Sequence, residues 1–474
     1  MLFIALFPTD ISVTDFDLIV LGGGTGNIVA SAAADNGLET AIVEEDRLGG
    51  TCLNRGCNPS KQLIHRADVV ETIQEAESFG ISASVEDIDF EGIVEDVIGT
   101  VIDDAEAKAE RAREHEHLTF YQASGQFIDE RTIAIETDDG DKRITGDRVV
   151  LAGGSRPLVP PIDGTDEVNF LTSADALRLT ERPDHLVVIG GGYISVEMSH
   201  FFGRMGADVT IVGHGDVLLD REDHEIAERL TEAYDQRHDL HLGYRATAIA
   251  NNNGETIVTA ESDDGDEINV RGDELLLATG RRPNTDTWDV EAGGIELGED
   301  GFVETNEYLE TSAANTWAIG DIAGNYMLKH SGDKEAEYAV ANAVRGEHRA
   351  VEYPGMAHAV FGSPQVASLG KTEKELDDDC EYAIGTTEYE DTALGAALEP
   401  DTGFVKTLVG LDGEVVGCHV VGPEASTLIH EVSTAVAAGG DAERIAETIH
   451  VHPALSEVVQ SSFRDVRDVA PSGI

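Results

Sequence analysis

Two cysteines stand five residues apart in the stretch Gly49-Gly50-Thr51-Cys52-Leu53-Asn54-Arg55-Gly56-Cys57-Asn58-Pro59-Ser60-Lys61. Pro59 suits the first turn of a helix, so the pair lies just before a helix start. A thiol at a helix N-terminus has a lowered pKa and reacts as the thiolate. In a cytosolic protein such a pair is redox-active or metal-binding rather than structural. A metal would need further ligands, and the other two cysteines, Cys380 and Cys418, are isolated and read as buried core thiols. No metal site is expected. Near the other end of the chain, His452 precedes Glu457 by five residues in His450-Val451-His452-Pro453-Ala454-Leu455-Ser456-Glu457. A carboxylate at that offset can orient an imidazole into an acid–base pair, which suits a proton donor for a thiolate. His450 has no assigned role, and its default is structural.

Two glycine loops must position this chemistry. Phe16 to Leu21 is an apolar run of the kind that forms a parallel strand buried on both faces, and it stops at Gly22-Gly23-Gly24-Thr25-Gly26-Asn27. Ile28 to Asn36 reads as a helix and Thr40 to Glu44 as the next strand. In a G-x-G-x-x-G turn, Gly22 makes the tight bend, Gly24 lets the backbone approach a pyrophosphate, and the helix N-terminus holds the negative charge. Asn27 replaces the third glycine. Glu44 follows Gly24 by 20 residues, the place of the acid that takes a ribose hydroxyl.

The unit returns at Leu186 to Ile189, then Gly190-Gly191-Gly192-Tyr193-Ile194-Ser195, a helix from Tyr193 to Met205 and a strand from Val209 to Val212. Ser195 is small enough for helix–strand packing. The second strand ends Val212-Gly213-His214-Gly215, with no acid. An acid there would grip the ribose 2′-hydroxyl of NAD and repel the 2′-phosphate of NADP, so its absence favours NADP. His214 and Arg221 are then either phosphate partners or ordinary surface residues. Two copies suggest two different dinucleotides.

Between the copies, Ile64 to Ser78 and Thr100 to His117 read as long helices, and Leu118 to Val150 as short strands. Leu275 to Leu277 closes the second unit. Beyond about residue 350 the glycine loops stop. Strands at Gly403–Gly410 and Glu414–Val421 alternate with helices at Ala425–Ala438 and Asp441–Ile449, a separate α+β domain.

The 474 residues suggest about three domains at a prior of roughly 150 residues each. Lys and Arg number 32, eight of them Lys, against 92 Asp and Glu, giving a net charge of −60. That field argues against nucleic acid and anionic membranes as partners. Disorder is excluded because hydrophobic residues make up 41% and fall in long periodic segments. The charge fits a salt-filled, halophilic cytoplasm, where a Debye length of about 3 Å at molar salt quenches surface repulsion. Asp377-Asp378-Asp379 is read as a solvated face. No apolar run approaches the ~18 residues that span a bilayer. Met1 to Phe7 is apolar but short and unflanked by basic residues, so a leader or over-long start is expected rather than a signal peptide.

These motifs together identify a resemblance. GGTCLNRGCNPSK at 49–61, GGGYISVE at 190–197, ATGRRPN at 278–284, WAIGD at 317–321 and HPALSE at 452–457 occur in the order found in the pyridine nucleotide–disulfide oxidoreductases. That family includes glutathione reductase, mycothione reductase, dihydrolipoamide dehydrogenase and mercuric reductase. The resemblance spans nearly the whole chain. It implies an α/β fold with two Rossmann-like dinucleotide-binding domains and a C-terminal α+β dimerisation domain. The boundaries would be 1–155 and 284–350 for the FAD domain, 156–283 for the NAD(P)H domain and 351–474 for dimerisation. FAD would use Gly22, Gly24, Gly26, Asn27, Glu44, Gly50, Thr51, Gly154, Gly280, Gly320 and Asp321. NADPH, with NADH the less favoured donor, would use Gly190, Gly192, Tyr193, Ile194 and His214. Lys61, paired with Glu197, would sit near the flavin, and Tyr193 would move aside from it. Cys57 would be the flavin-side thiol and Cys52 the interchange thiol. His452 and Glu457 would complete the partner subunit's site in a homodimer.

Choice within the family is narrower. Val469 to Ile474 holds no cysteine pair, which counts against mercuric reductase and large thioredoxin reductases. Soluble transhydrogenase lacks the Cys52–Cys57 pair. Thr25-Gly26-Asn27 and Met327-Leu328-Lys329-His330 look like mycothione reductase, whereas dihydrolipoamide dehydrogenase normally has an acid where Gly213 stands. Arg55 and Asn58 depart from the family's usual apolar residues. Salt-in halophiles are understood to use γ-glutamylcysteine in place of glutathione. The expected reaction is therefore reduction of bis-γ-glutamylcystine by NADPH, with NAD-linked dihydrolipoamide oxidation as the alternative.

Overall fold

The computed structural model describes residues 13–137, 140–376, 381–398 and 403–466. The apolar opening, the Asp377–Asp379 run, Cys380 and the stretch Val469 to Ile474 lie outside the described residues. The chain forms two compact units.

The first comprises Met1–Pro59, Val97–Leu158 and Arg281–Tyr353. Its central strand, Val13–Leu21, pairs in parallel with Thr40–Glu44 on one side and Gly140–Leu151 on the other. Leu118–Gln122 extends one edge in parallel, and Thr316–Ala318 pairs in parallel with Gly140–Leu151. Ser124–Asp129 and Thr132–Thr137 add an antiparallel wing. Leu18, Ile19, Val20 and Leu21 are fully buried, which is why this strand reads as a continuous apolar run. Burying each such side chain is worth about 1.5–3 kcal/mol. The helix Gly26–Asp35 covers one face through Val29, Ala30, Ala33 and Ala34, small residues that admit a close approach. Leu21 lies opposite both Val43 and Leu151, so three strands end level. The loops that follow them share the carboxyl edge of the sheet, where open α/β folds hold ligands.

The second unit comprises Ser60–Asp96, Val159–Gly280 and Pro354–Ile474. It contains a four-stranded parallel sheet ordered Asp239–Leu242, Asp208–Gly213, His185–Ile189, Glu274–Leu277. The helix Tyr193–Arg204 crosses between two of these strands, and an antiparallel sheet, Tyr244–Gly272, flanks them. From Ala357 onward a five-stranded antiparallel sheet carries the helices Ala425–Ala437 and Ser456–Val466. Cys418 is fully buried in this sheet, as expected of a core thiol.

Two helices differ in extent from their sequence expectation, and the one expected over Ile64 to Ser78 spans Cys57–Glu75. The helix expected from Thr100 spans Phe90–Glu114. Phe90, Val94, Val97 and Val101 are buried at helical spacing, but Gly92, Gly99 and the intervening acids hide that period in the sequence.

Candidate active site

The cysteines belong to two consecutive helices. Cys52 lies in the first turn of Gly50–Arg55, and Cys57 opens Cys57–Glu75 with Pro59 in the first turn. Lys61 follows one turn after Cys57. Buried Asn54 fixes the preceding bend by donating to the carbonyls of Arg47 at 3.0 Å and Gly50 at 3.1 Å. The two residues that look unusual in the motif both have partners. Arg55 pairs with Asp46 at 2.6 Å, and the Asn58 carbonyl accepts from the Cys52 thiol at 3.5 Å.

The helix-terminus argument predicts a lowered pKa for Cys52, and the structure corrects it. Hydrogen bonding with Cys57, then burial, push the Cys52 thiol well up. Two thiols in contact share their protons, so charge on one opposes charge on the other. Cys52 is partly buried and Cys57 exposed.

Beside the pair lies the first glycine loop. Gly22 has φ +99°, and a Cβ there would strike the Ala152 carbonyl oxygen at 2.2 Å. A Cβ on Gly24 would meet nothing nearer than Gly50 Cα at 3.5 Å, which leaves a backbone cradle open to a pyrophosphate. Close helix–strand contact falls at Gly26, where a Cβ would stand 2.7 Å from Val20, so Asn27 is tolerated one position later, half-buried. Buried Glu44 accepts the Gly23 N–H at 2.7 Å and the Asp46 N–H at 3.0 Å. Burial raises its pKa, and those two N–H groups pull it down. Asp321 accepts from Ser155, whose hydroxyl also accepts from Arg281 Nε at 2.7 Å.

Glu335 is a support that the sequence motifs do not reveal. It is buried and accepts from Gly320 N–H at 2.6 Å, Asn325 at 3.1 Å and the Tyr353 hydroxyl at 2.6 Å, fixing the turn that presents Asp321. Gly154 has φ +67° with open space beside it, and Thr51 is half-buried next to Cys52.

In the second unit, Gly190 has φ +129°, and its added Cβ would strike the Ala278 carbonyl oxygen at 2.3 Å. Buried Ser195 donates to the Gly190 carbonyl at 2.6 Å, which stitches the turn at the third motif position. Gly192 has open space around it, as does Gly280 at φ +107°. Tyr193 is 47% exposed and Ile194 half-buried. His214 and Arg221 are both exposed.

Lys61 Nζ bonds both carboxylate oxygens of Glu197 at 2.7 Å. Glu197 is buried and also accepts the Phe361 N–H at 3.1 Å, while the Phe361 ring lies 4.8 Å from the ammonium. Phe361 is a second support without a sequence signal, since 164 positions separate it from Glu197.

His452 Nδ1 lies 3.0 Å from Glu457 Oε1, and Glu457 Oε2 accepts the Ala454 N–H at 3.0 Å. Burial raises the Glu457 pKa, but His452, the Ala454 N–H and His450 outweigh it and hold the carboxylate ionised. With Nδ1 engaged by Glu457, Nε2 is the ring nitrogen left to meet another group. His450 bridges the Glu431 carboxylate at 2.7 Å and the Thr448 carbonyl at 3.0 Å, and Glu431 raises its pKa. It anchors the loop that bears His452, a structural role.

Asp68, Glu71 and His200 also converge. His200 bonds Asp68 at 2.9 Å, and Glu71 is already matched by Arg204, Arg237 and Ser363. Two guanidiniums at one carboxylate serve an ion-pair network better than a cation site.

The family model described as pyridine nucleotide-disulphide oxidoreductase matches residues 16–342, and that of its dimerisation domain matches 356–463. The chain is 33% identical over 472 residues to dihydrolipoyl dehydrogenase 3 of Haloarcula marismortui, covering 96% of this chain and 98% of that one. It is 33% identical over 469 residues to mycothione reductase of Mycobacterium tuberculosis, covering 95% and 99%. The solved Cu(II) complex of the HOCl-induced flavoprotein disulfide reductase RclA from Escherichia coli matches with a TM-score of 0.84 at 25% identity, over 95% of this chain and 99% of that one. The chain belongs to the pyridine nucleotide-disulphide oxidoreductase family and is a flavin-dependent oxidoreductase of the FAD- and NAD(P)H-linked kind.

Proposed function

We propose that the chain reduces a small thiol disulfide with NADPH as donor, in a salt-filled cytoplasm, and that the substrate is bis-γ-glutamylcystine. The observation that carries the donor is Gly213. It ends its strand where Glu44 ends the first, and its missing side chain would point toward Gly191. No carboxylate there repels a 2′-phosphate, and exposed His214 lies next in line to meet one. The substrate rests on the charge of −60, which matches a chain with haloarchaeal relatives, and on the likeness to mycothione reductase.

The first unit fits FAD. The Gly22–Asn27 turn and the helix behind it suit the pyrophosphate, Glu44 a ribose and Asp321 the ribityl chain. FAD, when bound, supplies a two-electron relay between the nicotinamide and the cysteine pair. The second loop would take the nicotinamide dinucleotide, with Tyr193 as the side chain that yields to it, and Lys61, held by Glu197, would serve the flavin.

Thiol chemistry belongs to the chain. His452 of the partner subunit takes the proton of Cys52, and Glu457 of the partner subunit steadies the resulting imidazolium. Cys52 attacks one substrate sulfur, forming a mixed disulfide, and the displaced thiolate receives the proton back from that imidazolium. Cys57 then attacks Cys52, which releases the second thiol and leaves the Cys52–Cys57 disulfide. The dimer has support in the match to the dimerisation domain and in Ile449 and Val451, which flank His450 with 97% and 75% exposure. Apolar side chains so exposed are surface for a partner to cover.

A second reading is NAD-linked dihydrolipoamide oxidation. Four haloarchaeal relatives at 33–34% identity that carry the dihydrolipoyl dehydrogenase name favour it. Steady-state kinetics in molar KCl separate the two. NADPH and NADH are compared with bis-γ-glutamylcystine, glutathione disulfide and lipoamide by kcat/KM. NADPH with bis-γ-glutamylcystine should dominate. Dominance of NADH with lipoamide would overturn the proposal in favour of the second reading.

A further inference from the structure

The helix Lys329–Ala339 starts at the first glycine loop, which the Cys52 helix also meets. Its first turn lies on the first glycine loop. A Cβ on Gly332 would come within 3.1 Å of Thr25 Oγ1 and 3.5 Å of Gly320 Cα, and buried Ser331 donates to the Leu328 carbonyl at 2.8 Å. The helix that carries Cys52 meets the same loop, since a Cβ on Gly50 would stand 2.5 Å from Gly24 Cα. Two helices that abut one short loop at their first turns bring their early side chains together. Lys329 and Asp333 accordingly act on the Cys52 sulfur through their fields.

These two form an ion pair one helical turn apart, 34% and 40% exposed. At Cys52 they act with opposite sign, Lys329 favouring the thiolate and Asp333 opposing it. Two neighbouring charges that act with opposite sign at the sulfur are poorly built to activate it. The exposed ammonium of the pair is better built to meet something that arrives at the sulfur. The chain keeps only eight lysines against 92 acids. Molar salt screens the long-range field, but a contact ion pair survives at that range. An anionic disulfide approaching Cys52 therefore finds in Lys329 a local cation within an acidic molecule.

We propose that Lys329 is a specificity residue whose ammonium, held in place by Asp333, takes the carboxylate that a C-terminal cysteine carries beside its disulfide sulfur. This deepens the reading above and rests on Cys52 being the attacking thiol. In bis-γ-glutamylcystine that carboxylate sits on the carbon next to the CH2–S group. Glutathione disulfide has it capped as an amide to glycine, and lipoamide has no charge near its sulfurs. The site would thus rank disulfides by whether the cysteine carboxylate is uncovered.

The test compares the holoenzyme with Lys329→Ala and Lys329→Arg in molar KCl, on bis-γ-glutamylcystine and on its bis-amide at the cysteine carboxylates. Lys329→Ala should lower kcat/KM for the free acid by about 10- to 100-fold, mainly through KM, and change the bis-amide by less than about threefold. Lys329→Arg should recover most of the loss. Equal losses on both substrates, with a displaced kcat–pH profile, would show that Lys329 serves the thiol and would overturn the proposal. No loss on either substrate would overturn it as well. If the wild-type enzyme reduces both peptide disulfides but ignores the carboxylate, the specificity inference falls while the disulfide-reductase reading stands. If it turns over lipoamide alone, both fall.

Discussion

Gly22 and Gly190 occupy the same place in two copies of one strand–turn–helix unit, and around them the copies agree in backbone and differ in side chains. Each glycine has positive φ, and in each a Cβ would collide with a carbonyl oxygen of the neighbouring strand's extension, Ala152 in the first and Ala278 in the second. The turn itself is therefore fixed by sterics that no other residue satisfies. Glu44 of the first copy reaches back to the Gly23 N–H, whereas Gly213 of the second leaves the corresponding space before Gly191 empty. Third-position packing differs too, with Gly26 taking the close contact in one copy and the Ser195 hydroxyl closing the turn in the other. On the proposed reading, backbone conformation suits each loop to a dinucleotide, and a few side chains at the strand ends would decide which one.

The harshest way to break this comparison is to put a methyl group on each turn. Gly22→Ala forces a side chain against backbone at positive φ, and strain of that kind costs of order 1–3 kcal/mol before the clash is counted. The purified protein should lack the flavin's visible absorbance and be inactive with every substrate. Gly190→Ala should keep the flavin and lose NADPH oxidation, with KM for NADPH strongly raised. Flavin loss from Gly190→Ala with retention in Gly22→Ala would reverse the assignment of the two loops.

A finer test exchanges the side-chain difference. In Gly213→Glu the new side chain points at Gly191, and Leu242, 3.0 Å from the built Cβ, must yield by a few tenths of an ångström. The carboxylate should then accept the Gly191 N–H and repel a 2′-phosphate. We expect the kcat/KM ratio of NADPH to NADH to fall by about 10- to 100-fold. An unchanged ratio would mean that the end of this strand does not read the ribose.

What the sequence showed and what it hid follow the same division. Cys52 with Cys57, both glycine turns, Glu44, and His452 with Glu457 are legible because each motif closes over a short span or a strand–turn–helix order. Glu335 and Phe361 are not, because their contacts join residues that only the folded chain brings together, and a lone buried Glu or an exposed-looking Phe has no pattern. Lys329 and Asp333 look like an ordinary helix-surface pair at i, i+4 until the fold sets them beside Cys52. The helix terminus at Cys52 is visible in sequence, but the neighbouring thiol that raises its pKa acts through space. Gly26 was overshadowed by the motif's nominal third position, because packing distance depends on where the helix settles against Val20 and Ala152.

The smallest expected effect is the pH dependence that the strand-end acid brings to the first copy. Burial raises the Glu44 pKa above its ordinary 4.5, although the N–H groups of Gly23 and Asp46 oppose the shift. A ribose hydroxyl donates a stronger hydrogen bond to the ionised carboxylate than to the neutral acid, so bound FAD favours the carboxylate. By linkage, FAD affinity should be flat above the raised pKa and weaken as pH falls through it, by at most about tenfold per pH unit. Release of flavin from the holoenzyme, followed by fluorescence between neutral and mildly acidic pH, measures this directly. Glu44→Gln cannot ionise, so it should bind FAD somewhat more weakly at neutral pH and lose this pH-dependent step. The second loop has no acid at Gly213 and should show no carboxylate-borne step in NADPH binding, whereas Gly213→Glu should introduce one for NADH. A step that survives Glu44→Gln unchanged would place the titrating group elsewhere and remove the acid from its proposed role at the ribose.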